Sequence, residues 1–261
     1  MLQEYRISDE GKIITYDKVR VAIDRLREFE PPEGYYLVFS GGKDSVVIYD
    51  LAVRSGVKFD AHYNLTTVDP PELVQFIKRQ YSEVEIRKPE KTMWQLIIEN
   101  GSPPTRLARY CCRVLKEGGG QGRVVVTGVR WEESNRRKSR SMTEKCLNGG
   151  ARSFLHVIID WSSEDVWGYI HGNNISYCKL YDEGFHRLGC VMCPMGNTKQ
   201  MAAHAKRWPK IYRAYLRCFD RLCQNRKDRG MKIYHETGQE QMDWWIYNPA
   251  KGDTDQGVLF E

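Results

Sequence analysis

Short apolar runs alternate with helical patterns along most of the chain. Val19, Ala22, Ile23 and Leu26 recur at helical spacing and predict a first helix over residues 14–30. Pro31-Pro32-Glu33-Gly34 breaks the pattern. Tyr35, Tyr36, Leu37, Val38 and Phe39 then form a β-rich run that reads as a buried strand. A helix is predicted from residue 46 to residue 54, with Gly56 as its stop. The alternation continues with a strand over 57–65, a helix opened by Pro70-Pro71-Glu72 and running to about residue 81, a strand at 84–86 and a helix at 92–99. Strands follow at 124–128 and 154–159, and Ser162-Ser163-Glu164-Asp165 opens a helix carrying Val166, Trp167 and Ile170.

Strands alternating with helices imply an α/β fold: a parallel twisted sheet with helices on both faces. From about residue 198 the pattern changes. Residues 198–228 are dense in Ala, Arg, Lys, Tyr and Leu and predict one or two helices, and no strong period follows Gly230. The expected organisation is an N-terminal helical segment over 1–30, a core domain over 31–193 and a helical C-terminal region over 194–261. Tyr212, Tyr215 and Phe219 lie at helical spacing and read as core, and Trp244-Trp245 as a tail element packing back on it.

With 261 residues, 41% of them hydrophobic, the chain has material for one large core or a core with an addition. No stretch approaches the roughly 18 apolar residues of a membrane span. Residues 1–6 lack a signal-peptide apolar stretch, so the expectation is a cytoplasmic protein with no membrane partner. A net charge of +6 permits a polyanionic partner without demanding one. In a reducing compartment the eight cysteines read as metal ligands, catalytic thiols or core residues rather than disulfides.

The strongest chemical signal is Ser40-Gly41-Gly42-Lys43-Asp44-Ser45, placed between a predicted strand and a predicted helix. A helix N-terminus offers free N–H groups and the positive end of its dipole. Gly41 and Gly42 allow close backbone approach to phosphate oxygens, Lys43 adds a charge, and Ser40 and Ser45 add hydroxyl donors. The spacing is more compact than that of the nucleoside-triphosphate P-loop. The alternative is a tight turn whose glycines serve geometry alone. Asp44 either helps hold Mg2+ or caps the helix. Arg130 follows a predicted strand end, where open α/β sheets bind ligands, and so has a route to phosphate; a solvated arginine is the alternative.

The loop resembles the pyrophosphate loop (PP-loop) of the adenine nucleotide α-hydrolase superfamily, and the chain is similar to the phosphoadenosine phosphosulfate (PAPS) reductase family. The resemblance rests also on Thr67-Val68-Asp69-Pro70-Pro71-Glu72, Arg109-Tyr110-Cys111-Cys112, Thr127-Gly128-Val129-Arg130, Glu133-Ser134, Asp160-Trp161 with Asp165-Val166-Trp167, and Gly189-Cys190-Val191-Met192-Cys193-Pro194. It implies a Rossmann-like PP-loop fold and adenine nucleotide binding. Asp69 then becomes a nucleotide contact or a helix cap, and Ser134 a phosphate or sulfate donor.

Cys190-x-x-Cys193 suits zinc or an iron–sulfur cluster, and with Cys111-Cys112 it supplies four thiolates, the number a [4Fe-4S] cubane takes. The same pattern resembles the cluster cysteines of adenylylsulfate (APS) reductases. Successive side chains diverge, so Cys190, Cys193 and Cys112 are the first three candidates, with Cys111 or Cys146 the fourth. Structural zinc and free buried thiols are the alternatives. Cys178, Cys218 and Cys223 read as plain thiols. Arg106, Arg109, Lys116 and Arg187 lie near these cysteines in sequence and can balance their charge.

Two departures from the family's reductases set the expected chemistry. Those enzymes carry a nucleophilic cysteine in a C-terminal segment, whereas the last cysteine here is Cys223. Their phosphate loop also tends to be eroded, whereas this one is intact. The expectation is therefore an ATP pyrophosphatase that forms AMP and pyrophosphate while adenylating a substrate for sulfur incorporation. It is closest in type to the ATP pyrophosphatases of DNA phosphorothioation. Such an enzyme implies ATP, Mg2+, a cysteine desulfurase as sulfur donor and nucleic acid as a possible acceptor. Lys43, Asp44 and Arg130 are the candidate catalytic residues. Arg136-Arg137-Lys138-Ser139-Arg140 reads either as a loop closing on phosphates or as a solvated face. One alternative is a thiol-dependent PAPS or APS reductase releasing sulfite, with Cys146 or Cys178 as nucleophile. The other is a non-catalytic, zinc-stapled nucleotide-binding subunit.

Overall fold

The computed structural model describes residues 2–7, 11–145 and 152–247. In chain order the strands are β1 (Gln3–Ile7), β2 (Ile13–Asp17), β3 (Tyr35–Val38), β4 (Phe59–Asn64), β5 (Glu85–Arg87), β6 (Val124–Thr127), β7 (Thr143–Lys145) and β8 (Ser153–His156). The helices are α1 (Lys18–Glu28), α2 (Lys43–Ser55), α3 (Pro71–Gln80), α4 (Met93–Asn100), α5 (Tyr110–Leu115), α6 (Asn135–Lys138), α7 (Ser163–Gly172), α8 (Thr198–Arg207), α9 (Pro209–Asp228) and α10 (Gly238–Tyr247). Among the described residues no helix is long and apolar enough to cross a membrane.

The chain forms two compact units that interleave along the sequence. The first comprises residues 1–63, 72–86 and 119–188; the second comprises 64–71, 87–118 and 189–261.

The first unit is built on a sheet of order β5-β4-β3-β6-β8-β7. β3 pairs parallel with β4 and β6, β6 pairs parallel with β8, and β7 closes one edge antiparallel to β8. The expected α/β architecture, a mostly parallel sheet with helices around it, is therefore present. Tyr35, Leu37, Val126 and Leu155 are fully buried or nearly so, as continuous apolar strands require. The chain leaves β3 through α2 to β4 on one side, whereas β6 lies on the other side. β3 and β6 thus flank a topological switch point, the crevice where open α/β sheets take their ligands.

The helix expected over 14–30 begins only at Lys18. Residues 13–17 are instead a strand, paired antiparallel with β1. Asp17 terminates that strand and caps α1, its carboxylate accepting from the amides of Val19 and Arg20. α1 is anchored by the buried Lys18, which pairs with Asp165 at 2.5 Å and with Glu4, and by Arg25, which pairs with Asp160 at 2.7 Å. Asp160 also accepts from Tyr16, and Trp161 is buried, so this pair packs and anchors. The strand expected over 154–159 ends at His156, and residues 157–160 form a turn.

The second unit is helical. Pro209 at the first turn of α9 starts a new helix after Trp208, dividing the expected 198–228 stretch in two. Its core is aromatic: Trp245 of α10 packs on Tyr215 and Phe219 of α9, and its indole N–H donates to the Pro104 carbonyl at 2.7 Å. α10 lies in the tail where no period was legible.

Candidate active site

The loop 40–45 joins β3 to α2 at the switch point. Gly41 has φ of +69°, and a Cβ there would lie 2.7 Å from Leu73 Cδ1, so only glycine fits this turn. Gly42 is the N-cap of α2 in extended conformation and has no side chain to cap the helix. The Lys43 amide donates to the Tyr181 hydroxyl at 2.8 Å, and the Gly42 amide to Ser40 Oγ at 3.3 Å. Ser45 Oγ donates to the Gly42 carbonyl at 2.8 Å and fixes the turn. The Tyr181 hydroxyl thus occupies the kind of place at a helix N-terminus that an anion takes. Burial pushes its proton affinity well above the ordinary phenol range.

Asp44 lies between two cations. Lys43 Nζ approaches its Oδ2 at 3.0 Å, and Arg130 Nε donates to its Oδ1 at 2.7 Å. Arg130 is only 2% exposed. Its other donors go to Glu132 at 3.0 Å, the Trp161 carbonyl at 3.2 Å and Ser163 Oγ at 3.3 Å. Arg130 is therefore neither solvated nor aimed outward; it holds Asp44 and Glu132 in place. Gly128, between β6 and Arg130, makes this possible. A Cβ there would sit 3.0 Å from Asp44 Cβ and 3.2 Å from its carbonyl oxygen.

Ser134 caps α6, its hydroxyl accepting from the Arg137 amide at 3.3 Å, and the Glu133 carboxylate accepts from the Arg130 amide at 2.9 Å. In the basic run, Arg137 pairs with Glu133, and Arg140 pairs with Glu144 at 3.0 Å. Much of that run is therefore neutralised locally. Tyr181, Glu132 and Ser163 were not singled out from the sequence; Glu132 and Ser163 lie beside residues of the family motifs, and Tyr181 does not.

Asp69 and the described cysteine candidates belong to the second unit. Asp69 does not cap α3; its carboxylate accepts from the Thr66 amide at 2.6 Å. The Val191 amide donates to the Val68 carbonyl at 2.8 Å, strapping the segment 64–71 to the Cys190–Cys193 turn. Cys190 donates to Thr66 Oγ1 at 3.4 Å. Thr67 and Met192 have φ of 66° and 57°, local strain on both sides of this strap.

Cys111 and Cys112 open α5. A hydrogen bond between them raises the Cys111 thiol and lowers Cys112, and Lys116 and Arg109 add to the lowering. Cys190 and Cys193 also act on Cys111 and raise its thiol. Burial alone would lower Lys116, but Cys190, Cys193, Asp69 and Cys112 outweigh it and keep the amine protonated. Burial raises the Cys190 thiol, with Lys116 acting against it. A sulfur-rich donor set with a lysine acting on it suits an anionic thiolate cluster rather than a hard cation. Among the described residues no three His, Cys, Asp or Glu side chains converge as a metal-ion site. Cys146 lies outside the described residues. Cys178, Cys218 and Cys223 are buried free thiols.

Comparison with known proteins follows the same lines. The phosphoadenosine phosphosulfate reductase domain matches residues 34–196. An uncharacterized protein of Methanocaldococcus jannaschii is 27% identical over 218 residues, covering 78% of this chain and 45% of that protein. The chain thus spans less than half the length of that relative. An adenosine 5'-phosphosulfate reductase of Oceanobacillus iheyensis is 28% identical over 182 residues, covering 65% of this chain and 75% of that enzyme. The crystal structure of phosphoadenylyl-sulfate reductase from Candida auris aligns with a TM-score of 0.52 at 17% identity, covering 72% of this chain and 98% of that one. That likeness is one of fold.

Proposed function

We propose that this chain, which belongs to the phosphoadenosine phosphosulfate reductase domain family, cleaves ATP between the α- and β-phosphates and transfers AMP to an acceptor oxygen. The observation that carries this reading is the loop 40–45: an α2 N-terminus whose N-cap is a glycine with no side chain, with Lys43 beside it, at the switch point of the sheet. The acceptor oxygen attacks the α-phosphorus. The bond to the bridging oxygen breaks, and pyrophosphate leaves with that electron pair. Charge then develops on the β-phosphate, where a helix N-terminus and a lysine stabilise it. Asp44 is the loop's carboxylate and the residue that would help hold Mg2+, which typically takes one or two carboxylates plus phosphate oxygens. Bound there, the ion would offset charge on the departing diphosphate.

Cys112, Cys190 and Cys193, with Cys111 or Cys146 as the fourth, are the residues that would hold a [4Fe-4S] cluster. When bound, such a group would supply sulfur-relay or electron-transfer chemistry. The acceptor is read as nucleic acid, and the sulfur donor as a cysteine desulfurase.

A second reading has one observation in its favour: the similarity to an adenosine 5'-phosphosulfate reductase. It requires an accessible thiolate nucleophile. Cys178 is a poor one, because it is buried and burial raises its thiol.

The two readings separate in one experiment. The chain, purified without oxygen, is given ATP and Mg2+ in one arm, and APS or PAPS with a thiol reductant in the other. AMP with an equal amount of pyrophosphate supports the first reading. Sulfite release without pyrophosphate establishes the second.

A further inference from the structure

The positive charge of this chain is concentrated in one place. Helices α8 and α9 carry nine Lys and Arg against two Asp, a net +7, whereas the whole chain is +6. Outside these two helices the protein is close to neutral. On α9 the exposed cations Lys210, Arg213, Arg217 and Arg221 follow i, i+3, i+7, i+11 spacing and form a single stripe. At 1.5 Å per residue the stripe is about 16 Å long. None of the four forms an ion pair among the described residues. The Asp220 carboxylate is turned away to accept from the Gly238 amide at 2.8 Å, and the stripe ends at Gln224 and Asp228.

Beside the stripe, within the same unit, lies a groove of about 440 Å3 between α4 and α9. Arg217 and Arg221 line one wall; the half-buried Trp94 lines the other together with Glu99, whose carboxylate is paired with Lys91 at 2.8 Å. Trp94 is held edge-on by Tyr215 at 4.8 Å between centroids.

We propose that the stripe and groove form a docking track for single-stranded nucleic acid, with phosphates along α9 and a base against Trp94. Like charges left unpaired in a row on one helix repel each other and gain from a polyanion. Three of the four are arginines, whose planar fork matches phosphate oxygens. A basic track beside an aromatic wall is the arrangement that single strands use without sequence preference. An anionic lipid surface would be met by the same charges, but it gives no role to a groove that sets one aromatic face beside two arginines. The inference deepens the reading above, since it rests on nucleic acid as the acceptor.

The test uses the full chain and fluorescently labelled 20-nucleotide DNA and RNA, with anisotropy measured across a salt series. The variant K210Q/R213Q/R217Q/R221Q is compared with the charge-matched K58Q/K78Q/R79Q/K88Q. Losing four contacts on a single strand lowers the slope of log K against log salt by about 3, and affinity at low salt falls about 30-fold or more. R213E alone, a milder change, gives an intermediate loss should the quadruple variant fold poorly. Equal binding by wild type and the stripe variants, or equal loss in the charge-matched control, overturns the proposal. So does binding to vesicles containing phosphatidylserine with none to either oligonucleotide. Pyrophosphate release from ATP is measured on the same samples without nucleic acid. Turnover without stripe-dependent binding sinks the docking track alone. Stripe-dependent binding without turnover sinks the ATP reading alone.

Discussion

Replacing Arg130 with Gln tests how the site is held together. The arginine is 2% exposed and its guanidinium makes contacts with Asp44, Glu132, the Trp161 carbonyl and Ser163. Breaking a buried ion pair by removing one partner costs roughly 3–5 kcal/mol. Glu132 is 51% exposed and Asp44 23%, so both carboxylates regain water, and the cost falls to about 3 kcal/mol. For a chain of this size that lowers Tm by roughly 6–12 °C. Activity is the sharper readout. If Arg130 acts by orienting Asp44, the double variant R130Q/D44N loses little more kcat/KM for pyrophosphate release than D44N alone. The coupling is then about 1–3 kcal/mol. If Arg130 instead grips a phosphate independently, the two losses add and KM for ATP rises in R130Q. Additive losses, or an R130Q protein with unchanged Tm, would refute the reasoning.

Three further outcomes follow from individual contacts. G128A places a Cβ 3.0 Å from Asp44 Cβ and must displace the first turn of α2. It should lower kcat by about 10- to 100-fold, since a misplacement of about 1 Å can cost that much; wild-type kcat in a folded variant would count against the close approach. Y181F frees the Lys43 amide, so it should lose about 1 kcal/mol of stability while binding pyrophosphate more tightly by calorimetry. Weaker binding would mean that the hydroxyl is a ligand rather than a competitor. Burial pushes the Asp160 carboxyl up, but Arg25 and Tyr16 more than offset this and hold it below its ordinary value. Its contribution is therefore present above about pH 4 and is lost as pH falls through the lowered value. R25M should accordingly lower Tm more at pH 7 than at pH 3, and an equal loss at both would be contrary.

The phosphate loop and its sheet were legible because β3 and β6 are short, mostly apolar runs each followed by a glycine-bearing turn. Periodicity and punctuation coincide there. At residues 13–17 two signals competed: Ile23 and Leu26 extend a helical period backward, but the β-branched run before Asp17 pairs with β1 instead. β7 is three residues at an exposed edge, too short for a period to register. α10 was illegible because Gly238 opens it and its apolar residues pack on α9, a tertiary contact with no local signature. In the site, Lys43, Asp44 and Arg130 could be named as charges near a strand end. That Arg130 would turn inward depended on Asp44, the Trp161 carbonyl and Ser163, whose positions only folding brings to it. Tyr181 contributes one hydroxyl from a distant segment of sequence, and nothing about its neighbours marks it as a partner of the loop.

The central claim is that residues 40–45 grip a departing diphosphate. Its most direct test is product analysis with ATP labelled at the α- and γ-phosphates, comparing wild type and K43A after circular dichroism shows that both are folded. The account predicts AMP and pyrophosphate in equal amounts, with a rate that falls about 100-fold or more in the variant. ADP and phosphate as products, or a rate indifferent to Lys43, would contradict it.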